Sequence, residues 1–242
     1  MGGIRYQNIR LRNKTVYAQN FGGDVSNTPS SADAVTPRVG ILWQPKNWLS
    51  LYANYVESFG ANYGNIYPTT PVPPTSAEQY EGGIKTEFFG GRLRATLAYY
   101  DLTKTNVATG DPAHPGFSLV TGAVRSRGPE LDIQGEILPG WNVIGTYSNT
   151  DIRALKTNDT YPAAGSRYWG VPRNMGSLWN TYDFQQETLH GLKVGGGVTL
   201  RDSQLAYNPT DPNFSIPGYA TVDLLAAFGA PRTFMGSINI QY

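Results

Sequence analysis

The sequence predicts an all-β fold, a partial antiparallel up-and-down transmembrane β-barrel of about eleven strands with short periplasmic turns and long extracellular loops. Three observations predict it. Apolar and polar residues alternate at period two in segments of roughly 8 to 12 residues. The connections between those segments alternate between short and long, and large aromatic residues collect beside the short ones.

The first strand, ahead of Leu11, is weakly patterned, and a long connection from Leu11 to Ala34 follows it. The second leads through Trp43 into a short turn, Gln44 to Asn47. In the third, Leu49, Leu51, Ala53 and Tyr55 fall on one face and Ser50, Tyr52 and Asn54 on the other. A second long connection, Gly60 to Ser76, leads to the fourth strand, where Tyr80, Gly82, Ile84, Thr86 and Phe88 oppose Glu81, Lys85 and Glu87. After the turn Phe89 to Gly91, Leu93, Ala95, Leu97 and Tyr99 oppose Arg94, Thr96 and Tyr100 in the fifth.

The sixth strand follows the connection Thr103 to Phe117 and sets Leu131, Ile133 and Ile137 against Glu130, Asp132, Gln134 and Glu136. The turn Leu138 to Gly140 and the seventh strand lead to the connection Asp151 to Pro172 and a weakly patterned eighth strand, Asn174 to Phe184. Past Gln185 to Gly191, alternation returns in Leu192, Val194, Val198 and Leu200. Beyond Ser203 to Gly218 it runs through Ala220, Val222, Leu224, Ala226 and Phe228, and then Phe234, Gly236, Ile238, Ile240 and Tyr242.

A face carrying Glu81, Lys85, Glu130, Asp132 and Glu136 must be wet, so these residues are expected to line a polar lumen while the leucine and tyrosine faces meet hydrocarbon. Closure follows from physics, because an open sheet edge in lipid leaves backbone donors and acceptors unsatisfied at several kcal/mol each. Trp43, Trp48, Phe88, Phe89 and Trp141 flank short turns, where an interfacial aromatic girdle belongs. A soluble sandwich or lipocalin-like barrel would alternate in the same way.

Composition narrows the function. A net charge of +1 with scattered basic residues excludes the footprint of a nucleic-acid binder. With no cysteine there is no disulfide framework and no thiolate site, and neither His114 nor His190 stands in a zinc-binding pattern. Both histidines read as exposed loop residues. Glu130, Asp132, Gln134 and Glu136 form a ladder instead of a focus, Gly195 to Gly197 lies in a strand with no helix to make a phosphate loop, and no enzyme, resident metal or cofactor is expected. The start, MGGIRYQNIR, lacks the apolar core of a signal peptide.

The runs AVTPRVGILWQP, WLSLYANYVESFG, SAEQYEGGIKTEFFGGRLRATLAYYDLTKTN and VRSRGPELDIQGEILPGWNVIGTYSNTD resemble the C-terminal half of the barrel in TonB-dependent outer-membrane siderophore receptors, closest to the ferrichrome type. The resemblance extends from about Ile4 to Tyr242, with SFG at Ser58 to Gly60, EQYE-x-G-x-K, Y-x-LTKTN and RG-x-E-x-D-x-Q-G in the family's order. It implies a plugged barrel of about 22 strands in the outer membrane of a Gram-negative bacterium. Loops there capture a ferric siderophore, so iron is cargo, and the TonB complex acts through an N-terminal plug.

On that resemblance, residues 1–242 are expected to be the C-terminal barrel portion, without the plug and with an internal deletion near residues 228–231. There ATVDLLAAF runs directly into GAPRTFMGSINIQY. The join leaves an odd strand count or reverses the last strand. Tyr242 resembles the signal read by the barrel-assembly machinery. Loop aromatics Tyr63, Tyr67, Phe117, Tyr168 and Trp169 are the expected siderophore contacts, since aromatic rings offer flat apolar area plus a polar donor. A passive pore built from associated half barrels and a gene remnant are the alternatives.

Overall fold

The structure is a computed structural model that describes residues 1–16, 25–68, 70–111, 113–156, 163–206, 211, 213–229 and 233–241, with backbone alone at 13–16, 25–29, 121 and 233–241. In chain order its strands are β1 (Gly2–Val16), β2 (Val25–Lys46), β3 (Leu49–Gly60), β4 (Asn65–Ile66), β5 (Thr70–Pro71), β6 (Thr75–Phe88), β7 (Leu93–Gly110) and β8 (Ser118–Leu138). Then come β9 (Trp141–Asn149), β10 (Asp151–Lys156), β11 (Asn174–Asp183), β12 (Leu192–Arg201), β13 (Gln204–Leu205), β14 (Ser215–Ile216), β15 (Tyr219–Gly229) and β16 (Thr233–Gln241). One antiparallel sheet holds the order β1-β2-β3-β6-β7-β8-β9-β11-β12-β15-β16, β10 pairs back on β8, and β4–β5 and β13–β14 form two small hairpins in the connections. Among the described residues no helix is long and apolar enough to cross a membrane.

Register makes the two faces explicit, because directly paired residues share a face. Trp43, Leu51, Ile84, Leu97, Leu131 and Tyr147 are partners in succession across β2, β3, β6, β7, β8 and β9. One residue along, Ser50, Lys85, Thr96, Asp132, Thr146, Ser177, Thr199 and Thr221 form a wholly polar row from β3 to β15. A single depression of 490 Å³ takes its lining from strands as far apart as β3 and β12, Tyr52, Glu81, Thr96, Glu130, Asp132 and Thr199 among them, so the sheet curls with the polar row inside.

The apolar row is on the convex side, uncovered: Leu97 is 50% exposed and Ile41 69%. Among the described residues the buried apolar set is only Val72, Ala98, Ala123, Val124, Val143 and Ala154. A single curled layer with its oily side outward has no protein core to fold around. Hydrocarbon supplies that solvent.

Outward rows also mark the membrane's limits. At the short-turn end stand Trp43, Trp48, Phe88, Phe89 and Trp141. At the other end Tyr55 and Tyr80 are partners with ring centroids 4.8 Å apart, and Tyr99 and Tyr147 stand within two rows of them. Phe88 to Tyr80 is eight steps of about 3.3 Å on a strand tilted by about 40°, about 20 Å of height, which lies within the apolar band of about 25 Å that an outer-membrane barrel presents.

Two glycines let aromatic rings lie flat on the inner wall. A Cβ on Gly83 would come within 2.7 Å of both the Leu97 carbonyl oxygen and the ring of its partner Tyr52. A Cβ on Gly197 would overlap the indole of its partner Trp179.

Three expectations need correcting. The connection Leu11 to Ala34 is largely strand, with Leu11 opposite Ser30 and Val16 opposite Val25, and β7 and β8 likewise run on to Gly110 and Ser118. Strands therefore continue well past the membrane, where lipid no longer faces one side and the strict alternation disappears. Asp151 to Lys156 is also strand, β10, continuing the register of β9 against β8 as far as Ala154, where a bulge shifts it by one residue. The last strand, β16, pairs antiparallel with β15, Gly229 opposite Thr233, so among the described residues eleven strands follow one another around the wall. Residues 230–232, where the deletion was expected, and Tyr242 lie outside the described residues.

Candidate ligand-binding site

Asn62 in the β3–β6 connection ties the loop end together. Its Nδ2 donates to the carbonyls of Pro73 and Asn106, each at 2.7 Å, while Asn106 Nδ2 donates to the Pro74 carbonyl at 2.9 Å. The β4–β5 hairpin is thereby held against the outer part of β7, carrying Tyr67 toward the β7–β8 connection. There Tyr67 stacks on His114, centroids 3.9 Å apart and planes 10° apart, and meets Phe117 edge-on at 5.2 Å.

Asp111 organises this cluster. Its Oδ1 accepts the backbone N–H groups of Ala113 and His114, closing an Asx turn, and its Oδ2 lies 2.9 Å from His114 Nδ1. Burial opposes ionisation of Asp111, yet the bonds from His114 and the two backbone donors hold its carboxyl below the usual carboxylate range. The pair of Asp111 with His114 fixes the imidazole plane on which Tyr67 rests.

Two of the expected contacts, Tyr67 and Phe117, are thus brought together. Tyr168 and Trp169 form a second stack, centroids 4.3 Å apart at 16°, and burial pushes the Tyr168 phenol up. Tyr63 stands apart, 73% exposed. His114, expected as a plain exposed residue, is instead a member of the first stack, and the D-x-x-H spacing in DPAHP was its only signal in the sequence.

Of the polar residues expected at the lumen, Glu81, Glu130 and Asp132 line the inner depression. Glu81 accepts the Tyr52 hydroxyl at 2.6 Å and Gln79 Nε2 at 2.9 Å, and the Lys85 ammonium lies 4.9 Å from the centre of the Tyr52 ring. Glu136 holds a turn: its carboxylate accepts the Gly140 N–H at 2.8 Å and lies 3.5 Å from Arg92. Among the described residues no group of His, Cys, Asp or Glu could hold a metal ion.

A wall of alternately directed strands, oily outside and polar inside, with aromatic stacks in the connections at one end, defines an outer-membrane receptor barrel. The TonB dependent receptor-like β-barrel family model matches residues 1–241, and the chain belongs to that family, whose members are outer-membrane receptors of Gram-negative bacteria and not enzymes. It is 34% identical over 239 residues to the metal-pseudopaline receptor CntO of Pseudomonas aeruginosa, covering 99% of this chain and 33% of that receptor. To the ferrichrome outer membrane transporter/phage receptor of Escherichia coli it is 32% identical over 210 residues, 85% of this chain and 27% of the transporter. The solved siderophore receptor PiuA from Acinetobacter baumannii shares the fold with a TM-score of 0.80 at 22% identity, over 98% of this chain and 35% of that one. The chain spans about a third of the length of these relatives.

Proposed function

We propose that this chain supplies barrel wall and capture loops to a receptor that imports a metal-loaded siderophore, the cargo being a compact ferric hydroxamate of the ferrichrome kind. The observation that carries this reading is the pair of aromatic stacks, Tyr67–His114–Phe117 and Tyr168–Trp169, in the long connections of a barrel wall with a polar inner face. Such rings desolvate a compact, hydrogen-bonding chelate at small entropic cost. Tyr63, exposed in the same connection as Tyr67, is a third contact. Glu81, Lys85, Glu130, Asp132 and Glu136 belong to the polar inner side of the wall. The TonB-driven step is assigned to a plug outside these residues, and Tyr242 to recognition by the barrel-assembly machinery.

A metal-pseudopaline chelate is the second reading, favoured by the match that runs over more of the chain, 99% against 85%. One binding experiment separates the two. With Tyr67, Phe117, Tyr168 and Trp169 replaced by alanine in the complete receptor, affinity for labelled ferrichrome should fall about tenfold or more. Loss confined to metal-pseudopaline selects the second cargo, and unchanged affinity for both removes the loop-capture reading.

A further inference from the structure

The chain has two histidines, and they are held in different ways. His190 is exposed in the short connection between β11 and β12, and among the described residues its ring has no polar partner. His114 is fixed at three points. Asp111 accepts its backbone N–H at 3.2 Å and lies 2.9 Å from its Nδ1, while Tyr67 covers one face of the ring with centroids 3.9 Å apart and planes 10° from parallel. Turn, carboxylate and stack together set both the position and the plane of the imidazole.

The carboxylate also decides which nitrogen is left for a ligand. Asp111 can only accept when ionised, so the proton of the neutral ring sits on Nδ1 and the lone pair on Nε2. That lone pair lies in the ring plane, where a ring stacked on the face does not obstruct it, and it points away from Asp111. The Asp111 side chain is 5% exposed and that of His114 41%, so the edge opposite the buried carboxylate is open to solvent. A carboxylate behind an imidazole, fixing tautomer and orientation and making the other nitrogen a better donor, is the arrangement that stands behind metal-ligating histidines.

One imidazole does not hold a bare ion. Among the described residues no group of His, Cys, Asp or Glu could hold one either. The metal that His114 meets must therefore arrive with its other ligands already in place. Imidazole suits zinc, copper and nickel, and a metal saturated by its chelator has no position to offer.

We propose that His114 Nε2 is a metal ligand, which captures a divalent zinc, copper or nickel chelate that leaves one coordination position to water. The metal–nitrogen bond forms as the metal–water bond breaks, and the water leaves with no proton or electron transferred. The inference rests on the loop-capture reading and adds a cargo class to it: the rings alone hold a saturated ferric chelate, whereas an unsaturated divalent one is held by rings and nitrogen together.

The test uses the full, untagged chain in detergent micelles, with copper(II)–iminodiacetate as the open chelate and copper(II)–EDTA as the closed one. Electron paramagnetic resonance reads a bound imidazole nitrogen through its added splitting, checked by labelling the histidines with nitrogen-15. The open chelate should bind His114 about tenfold or more tighter than His190, His114→Gln should abolish the tight phase, and His190→Gln should leave it intact. The closed chelate should gain no nitrogen. Asp111→Asn keeps an oxygen for the turn and loses the charge, so it should weaken binding at His114 about tenfold. Should that variant not fold, the two histidine variants decide alone. No added nitrogen, a tight phase that survives His114→Gln, equal affinity at the two histidines, or a folded Asp111→Asn chain that binds as tightly overturns the proposal. None of these outcomes depends on siderophore capture, which the alanine substitutions test separately.

Discussion

The two faces of the wall share one backbone and one register and differ only in what each alternate residue meets. Outward, the row Trp43, Leu51, Ile84, Leu97 and Leu131 gives way to tyrosines and then to charge. Inward, the row from Ser50 to Thr221 is polar throughout, and the rows on either side of it carry the glycines, Gly83 and Gly197, paired with Tyr52 and Trp179. Packing complementarity therefore belongs to the inner face. The outer face requires only apolarity, because lipid adapts to its shape.

Charge insertion should break this comparison most sharply. Leu97→Arg, at mid-height on the outside, should destabilise the folded state in vesicles by about 2–4 kcal/mol in a denaturant titration, and Thr96→Arg, its inward neighbour, by under about 1 kcal/mol. Equal losses would mean that the faces do not meet different solvents. A smaller contrast comes from one methyl group. Gly197→Ala, which drives into the Trp179 ring, should lower stability by about 1–3 kcal/mol. Gly196→Ala points outward with 3.4 Å to the nearest Leu224 atom and should be neutral or slightly stabilising.

The smallest effect is one of pH at the charged outer rim. The Arg153 guanidinium holds the Asp151 carboxyl below its usual range, with Arg127 and Arg173 adding to it against partial burial. A depressed folded pKa gives stabilisation that is complete above the unfolded value of about 4 and lost as pH falls through the lower folded value. Hydrogen exchange of the Ala154 N–H, bonded to the Ser166 carbonyl at 3.1 Å, should lose protection on acidification through that window, and Asp151→Asn should abolish the pH dependence.

Where lipid meets one face and water the other, the strands were legible, because period-two contrast is what those two solvents select. Leu93 to Tyr100 and Glu130 to Glu136 are the clearest cases. The extensions beyond the membrane were not legible: Leu11 to Val16 and Thr103 to Gly110 have no lipid on one side to impose a contrast, so hydrogen-bond register is what marks them as strand. Tyr67 and Phe117 could be nominated by position. Their stacking with His114 could not, since it joins two connections far apart in sequence. The outward parity of Arg125 and Arg127 could be read from RSRGPEL, but Arg153, the partner of Arg125, meets Arg167 only through a bridge that no local pattern encodes.

The direction of the final strand restricts what can seal this wall. With eleven members alternating in direction, β1 and β16 both point from the turn end toward the loop end. Two identical copies inserted the same way up would meet at seams of like-directed neighbours and could not form an antiparallel ring. A complement with an odd number of strands, opening and finishing in the opposite sense, makes both joints hydrogen-bond as the rest of the cylinder does.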